Sequence, residues 1–189
     1  MILGLTGYSS AGKDTVADYL VKEHGFTRLA FADKVRDLAE HLNPSLGYPE
    51  MPLSTILENL GWDEAKQIPD VRQYLQTLGT ACREIQGENV WIQAVDNEHW
   101  ESIARARRNS GHVVITDVRF ANEAHWVELS GGRIVRVTRP GVGPVNDHRS
   151  ETELDSWVPG WYIQNDRGLE GLHGEVDEMM SMFEGLDSE

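Results

Sequence analysis

Gly7-Tyr-Ser-Ser-Ala-Gly12-Lys13 places two glycines and a lysine at the spacing G-x-x-x-x-G-K. Glycine at these points lets the backbone curl until successive amides point inward, a cradle for phosphate oxygens. A helix opening directly after such a P-loop adds the positive end of its dipole. An ammonium at Lys13 then bridges the outer phosphates and offsets charge during transfer. The next position commonly carries Ser or Thr for magnesium, but here it is Asp14, with Thr15 after it. Two readings of Asp14 stand side by side. It holds magnesium through water while the Thr15 hydroxyl contacts a phosphate, or it is a first-turn acid favoured by the dipole alone.

Further along, Asp117-Val-Arg119-Phe-Ala-Asn122-Glu123 follows an apolar run. Asp117 stands where a metal-organising acid belongs, and Arg119 suits bidentate grip of a phosphate. A surface Asp–Arg pair is the plain alternative. Arg136 and Arg139 come next, and Arg139 begins a Pro/Gly loop that also leads to His148 and Arg149. A loop with an arginine at each end suits a lid that excludes water, against the alternative of an ordinary solvated loop. A phosphate acceptor is already an anion, so no general base is required and His148 is assigned none.

These groups need a scaffold. Met1 to Thr6, Phe26 to Ala32, His112 to Asp117, Arg133 to Thr138 and Trp161 to Ile163 read as strands. Lys13 to His24 reads as a helix stopped by Gly25, and Asp33 as the cap of another. Asn43 to Pro52 is a run of breakers and reads as a loop. Two or three helices follow before Arg108, the clearest with Leu75, Leu78, Cys82 and Ile85 on one face. Ala121 to Ser130 reads as a further helix. Leu169, Leu172, Val176, Met179 and Phe183 describe a closing amphipathic one. Met179 and Met182 are read as core, and the last residues as frayed. Alternating strands and helices imply a parallel sheet covered on both faces, with ligands at the carboxyl ends of the strands.

The 189 residues suit one domain, and the formal net charge of -14 argues against gripping a nucleic acid polymer. One cysteine, Cys82, excludes an internal disulfide. No run approaches the roughly 18 apolar residues of a membrane span, so a cytoplasmic protein is expected. A P-loop alone leaves a phosphotransferase and a nucleotide-dependent switch or hydrolase open. The downstream arginines favour the phosphotransferase, because an acceptor phosphate needs its own anion pocket.

The chain resembles the phage-type deoxynucleoside monophosphate kinases, a branch of the P-loop nucleoside monophosphate kinases. The likeness rests on an ordered set of segments. It runs from Gly7 to Thr15, through Leu29-Ala-Phe-Ala-Asp-Lys34, Arg72 to Gly79 and Asn89-Val-Trp91. It continues in Asp117 to Glu123, Gly131-Gly132, His148 to Glu151 and Asn165-Asp166. The Gly-Lys-Asp-Thr ending of the P-loop belongs to that family. The resemblance implies a P-loop NTP hydrolase-like α/β fold with a five-stranded parallel sheet flanked by helices. It implies a single kinase domain over residues 1–189, with a helical acceptor-binding insertion at 33–108 and a lid at 140–151.

It also implies transfer of the γ-phosphate of ATP to a deoxynucleoside monophosphate, with Mg2+, in the host cytoplasm if phage-encoded. Ser10, Ala11, Gly12, Lys13, Asp14, Thr15 and Val16 would hold the triphosphate, with Asn165 and Asp166 near the adenine. Ala32, Lys34, Arg72 and Trp91 would line the acceptor pocket. Asp117, Arg119, Asn122, Glu123 and Glu151 would organise the acceptor. Lys13, Arg119, Arg139 and Arg149 would carry catalysis, and Asp14, Thr15 and Asp117 the metal. Arg167 stands where a glycine is expected after the Asn-Asp pair, and the proline often found after Asp33 is absent. Trp91 as a core side chain and Lys34 as a solvated helix residue are the alternatives. A dephospho-coenzyme A kinase-like acceptor is the nearest rival, and a homodimer through the insertion is the expected assembly.

Overall fold

The computed structural model describes residues 1–47, 49–108 and 110–186. The expected fraying at the extreme carboxyl end falls on residues 187–189 and lies outside the described residues. By packing, the chain divides into a unit formed by Met1–Ala30 with Asp96–Glu189 and a second formed by Phe31–Val95.

The first unit is built on β1 (Ile2–Thr6), every residue of which is buried. It continues through α1 (Lys13–His24) and β2 (Thr27–Leu29). The second unit holds α2 (Phe31–Leu42), β3 (Ser45–Leu46), β4 (Met51–Pro52), α3 (Leu53–Ala65) and α4 (Pro69–Gln86). The helix α5 (Val90–Arg107) begins in that unit, and its chain runs on into the first. The first unit then resumes with β5 (Val113–Ile115), α6 (Ala121–Leu129), β6 (Arg133–Thr138), α7 (Arg149–Thr152), β7 (Trp161–Gln164) and α8 (Gly168–Leu186).

Five strands form one parallel sheet in the order β2-β5-β1-β6-β7. All five are the strands expected from the sequence. The chain fills the β2–β5 side of β1 before crossing to β6, so the end of β1 is a topological switch point where a crevice opens. Leu3 and Leu5 pack with Val16, Leu20, Leu172, Val176 and Met179 on the α1/α8 face. Gly4 points the other way, where a Cβ would lie 2.9 Å from both Ile134 and Val118 and 3.1 Å from Val127. Its missing side chain lets α6 close on the sheet.

Several local expectations need correction. The helix α2 starts at Phe31 rather than after an Asp33 cap, which places Ala32 and Asp33 in its first turn. The breaker-rich segment folds into the short antiparallel pair β3–β4 instead of a plain loop. Ile85 is 78% exposed and Met182 51% exposed, so neither is core. In the second unit, Ala39, Leu53, Ile56, Ala65 and Val71 form a separate core. No helix among the described residues is long and apolar enough to cross a membrane.

Candidate active site

The P-loop geometry begins where β1 ends. Gly7 adopts φ +131°, and a Cβ there would lie 2.2 Å from the Val137 carbonyl oxygen, so only glycine fits beside β6. Ser10 takes the left-handed region at φ 65°. Gly12 adopts φ +111°, and a Cβ there would meet Asn165 Nδ2 at 2.6 Å. Asn165 follows β7; its backbone amide donates to Thr138 O at 2.8 Å and its Nδ2 to Ala11 O at 3.0 Å. The loop is thereby tied to the far side of the sheet. The amides of Lys13, Asp14 and Thr15 stand in the first turn of α1, where the helix supplies no carbonyl. The Val16 amide donates to Gly12 O at 3.0 Å, and its side chain is wholly buried.

Lys13 folds back over the loop, its Nζ donating to Gly7 O at 2.6 Å and Tyr8 O at 2.8 Å. Burial pushes its ammonium down to about 8; the Arg119 charge adds to this, while Asp14, Asp117 and Glu151 pull in the opposite direction. Four of the expected site residues therefore act on one ammonium.

Beside the loop lies a cleft of about 250 Å³. It is lined by Thr6, Gly7 and Tyr8 at the end of β1, by Val118 and Arg119 after β5, and by Arg136 to Arg139 at the end of β6. Ser150, Glu151, Leu154 and Asp155, in and after α7, complete it. Three guanidinium groups and two carboxylates meet there. Arg119 NH1 donates to Glu151 Oε1 at 3.0 Å, and the Glu151 side chain is only 4% exposed. An ion pair with one partner so desolvated is held firmly, because freeing either charge strands the other.

The loop bearing Arg119 is fixed by two carboxylates. Glu123 is 1% exposed, and its Oε2 accepts the amides of Arg119 at 2.8 Å and Phe120 at 3.1 Å. Glu153 Oε1 accepts the amide of Ala121 at 2.8 Å. The amides at the start of α6 are thus already served by acids. Glu123, expected among the acceptor residues, serves the backbone that carries Arg119. Arg149 pairs with Glu153 and lies 5.7 Å over the Phe120 ring, outside the cleft lining, whereas Arg139 lies within it.

The remaining expected residues stand on several elements of the two units. In the second unit, Lys34 donates to Asp37 at 2.6 Å. Arg72 reaches Lys66 O and Gln67 Oε1 at 3.4 Å each. Trp91 is 5% exposed and its Nε1 donates to Gly79 O at 3.1 Å, a core position. Asp117 and Asn122 are half-buried at the end of β5 and in α6. Asp166 lies 3.6 Å from Arg167, which turns away to pair with Glu175 of α8. Sequence reasoning did not assign Tyr8, Ser150 or Asp155 to the site, and it counted Arg136 among the downstream cations without giving it a role of its own. Tyr8 occupies a variable position of the motif, and Asp155 lies beyond the loop, so neither carries a pattern.

Magnesium needs one or two carboxylates, phosphate oxygens and water rather than a protein cage. Among the described residues there is no group of three or more His, Cys, Asp or Glu able to hold a metal. Asp14 is exposed and lies 3.7 Å from Arg28, with Thr15 beside it in the same turn. This donor set fits a cation that arrives with a nucleotide.

Residues 53–176 match the family described as deoxynucleotide monophosphate kinase. The P-loop lies ahead of that match and is an independent sign. A protein of Acanthamoeba polyphaga mimivirus, provisionally named a deoxynucleotide monophosphate kinase, is 30% identical over 169 residues, covering 82% of this chain and 83% of that protein. Among solved structures, shikimate kinase from Aquifex aeolicus vf5 aligns over 99% of this chain and 98% of its own, at 13% identity and a TM-score of 0.48. Dephospho-CoA kinase from Campylobacter jejuni aligns over 96% of each chain, at 14% identity and a TM-score of 0.49.

Proposed function

This chain belongs to the deoxynucleotide monophosphate kinase family, and from that premise we propose that its cleft transfers the γ-phosphate of ATP to a deoxynucleoside monophosphate. The observation that carries the reading is the gathering of Arg119, Arg136 and Arg139 along one crevice beside the P-loop, whose Lys13 ammonium feels the Arg119 charge. Amides of the P-loop and the first turn of α1 hold the donor phosphates, with Asn165 keeping the loop in shape. Lys13 leaves its carbonyl partners to bridge the β- and γ-phosphates. Arg119, presented by Glu151, grips the acceptor phosphate, and Arg139 closes over the transferred group with the 140–151 segment as lid.

The acceptor is its own nucleophile, so the residues supply position and charge rather than proton transfer. Magnesium, when bound with ATP through Asp14, Thr15 and Asp117, supplies neutralisation of the phosphate charge. The helical insertion at 33–108 is the source of acceptor recognition, through Lys34, Arg72 and the surroundings of Trp91, with Ala32 just ahead of it. Asn122 lies beside the acceptor, and Asp166 near the adenine. The substrates are free nucleotides rather than a nucleic acid polymer, in keeping with the charge of -14.

The test is incubation with ATP, magnesium and a panel of deoxynucleoside monophosphates, ribonucleotides and dephospho-coenzyme A, with each product identified by mass. Deoxynucleoside diphosphates are the expected products. Exclusive phosphorylation of dephospho-coenzyme A, or release of inorganic phosphate alone, would replace the proposal.

A further inference from the structure

The helix α7 has four residues, and a single helical turn gains too few backbone bonds to offset the entropy of fixing it. Its place is therefore set by what its side chains and the chain just behind it touch. On one side, two acids reach the segment that follows β5. Glu151 Oε1 accepts Arg119 NH1 at 3.0 Å, and Glu153 Oε1 accepts the Ala121 amide at 2.8 Å. On the other side stands β6. Its Arg136 NH1 donates to the Asp155 carbonyl at 3.1 Å, and NH2 donates to the carbonyl of Leu154, a buried residue. The strands β5 and β6 are the two neighbours of β1 in the sheet. The turn and its trailing residues thus bridge both sides of the switch point, over the crevice that the same residues line.

We propose that Arg136 and Glu153 are positioning residues that fix α7 across the crevice, so that Glu151 presents Arg119 to the acceptor phosphate. The inference rests on the kinase reading. A guanidinium offers its donors in a rigid planar fork, so two successive carbonyls on one fork define an orientation as well as a distance. The charge of Arg136 still lies along the crevice, but these donors are committed to backbone. The Arg119–Glu151 pair alone is one contact between two rotatable side chains. Glu153 adds a second contact between the same two segments, to the amide two residues beyond Arg119, and so removes the swivel. Phosphoryl transfer depends on alignment, and a misplacement of about 1 Å can cost about 10²-fold.

The experiment compares Arg136→Met, Glu153→Ala and Glu153→Gln, each alone and combined with Glu151→Ala, in a diphosphate-forming assay with thermal melts alongside. Arg136→Met and Glu153→Ala should each lower kcat/KM for the acceptor about tenfold, with KM for ATP within about twofold of the parent. Glu153→Gln keeps an oxygen for the Ala121 amide and should retain most of the parent's kcat/KM. Combined with Glu151→Ala, neither Arg136→Met nor Glu153→Ala should cost more than about a further twofold, because the turn no longer holds Arg119. A guanidinium that binds phosphate itself would keep its full effect in that background, and this result would overturn the proposal. A KM for ATP that rises together with that for the acceptor, or a Glu153→Gln variant as poor as Glu153→Ala, would overturn it too. If Arg136→Met fails to fold, the two Glu153 variants decide; if Glu153→Ala fails to fold, Arg136→Met decides. A parent protein that phosphorylates no deoxynucleoside monophosphate would instead overturn the kinase reading, and the positioning roles with it.

Discussion

Lys13 is the residue on which burial and charge conflict most directly. Burial and the Arg119 charge hold its ammonium down at about 8, well below the ordinary lysine value, against the pull of Asp14, Asp117 and Glu151. The cationic form is the one that serves phosphate, so raising the pH through that value removes it from the free protein. We expect kcat/KM for ATP to fall above about pH 8, because that ratio reports the free enzyme. Bound triphosphate adds negative charge and raises the ammonium's affinity for its proton, so the alkaline fall in kcat should lie higher. A pH–rate series checks both, and a flat kcat/KM to pH 10 would contradict the assignment. Replacing the ammonium altogether, Lys13→Ala, should cost roughly 10²- to 10³-fold in turnover. Circular dichroism should be unchanged, because the ammonium donates to carbonyls of its own loop. Lys13 was legible in the sequence because its motif is local. Glu151, the partner of Arg119, entered only through the family resemblance, since 32 residues separate the two and no periodicity joins them.

Among the elements, α6 depends on a carboxylate that sequence reasoning assigned to substrate. Glu123 is buried and takes two backbone amides ahead of its own helix. Glu123→Ala should lower stability by about 2 kcal/mol, read from denaturant midpoints, because two amides lose their acceptor. It should also reduce turnover, since the freed loop carries Arg119. Glu123→Gln, which keeps an acceptor oxygen, should restore much of both. The end of β7 plays the matching part for the P-loop. Asn165→Ala removes the bond to Ala11 O and the contact with Gly12. It should raise KM for ATP several-fold while leaving KM for the acceptor near its original value, a split that steady-state kinetics reads directly. The strands themselves were readable, because buried apolar runs bounded by glycine or charge have few other uses. The start of α2 was not, since Leu29 to Ala32 is apolar throughout and nothing in the pattern marks where strand gives way to helix at Phe31. The β3–β4 pair was hidden by its own prolines, which read as breakers yet tolerate two-residue strands.

For the molecule as a whole, an acidic chain of net charge -14 brings three of its arginines, Arg119, Arg136 and Arg139, to one switch point of a parallel sheet. Fold class and P-loop were legible from local pattern, and the ordered family segments supplied the acceptor. What pattern did not carry was the mutual placement of Tyr8, Arg136 and Asp155, which only the folded sheet brings together. A cleft organised for transfer rather than for water activation should keep hydrolysis low when no acceptor is present. The most direct measurement follows the label of γ-³²P-ATP after mixing with the protein, magnesium and a deoxynucleoside monophosphate. The account expects the label on the β-position of the deoxynucleoside diphosphate, with inorganic phosphate a minor product whose rate falls far below that of transfer. Label appearing in inorganic phosphate at a rate indifferent to the acceptor would contradict it.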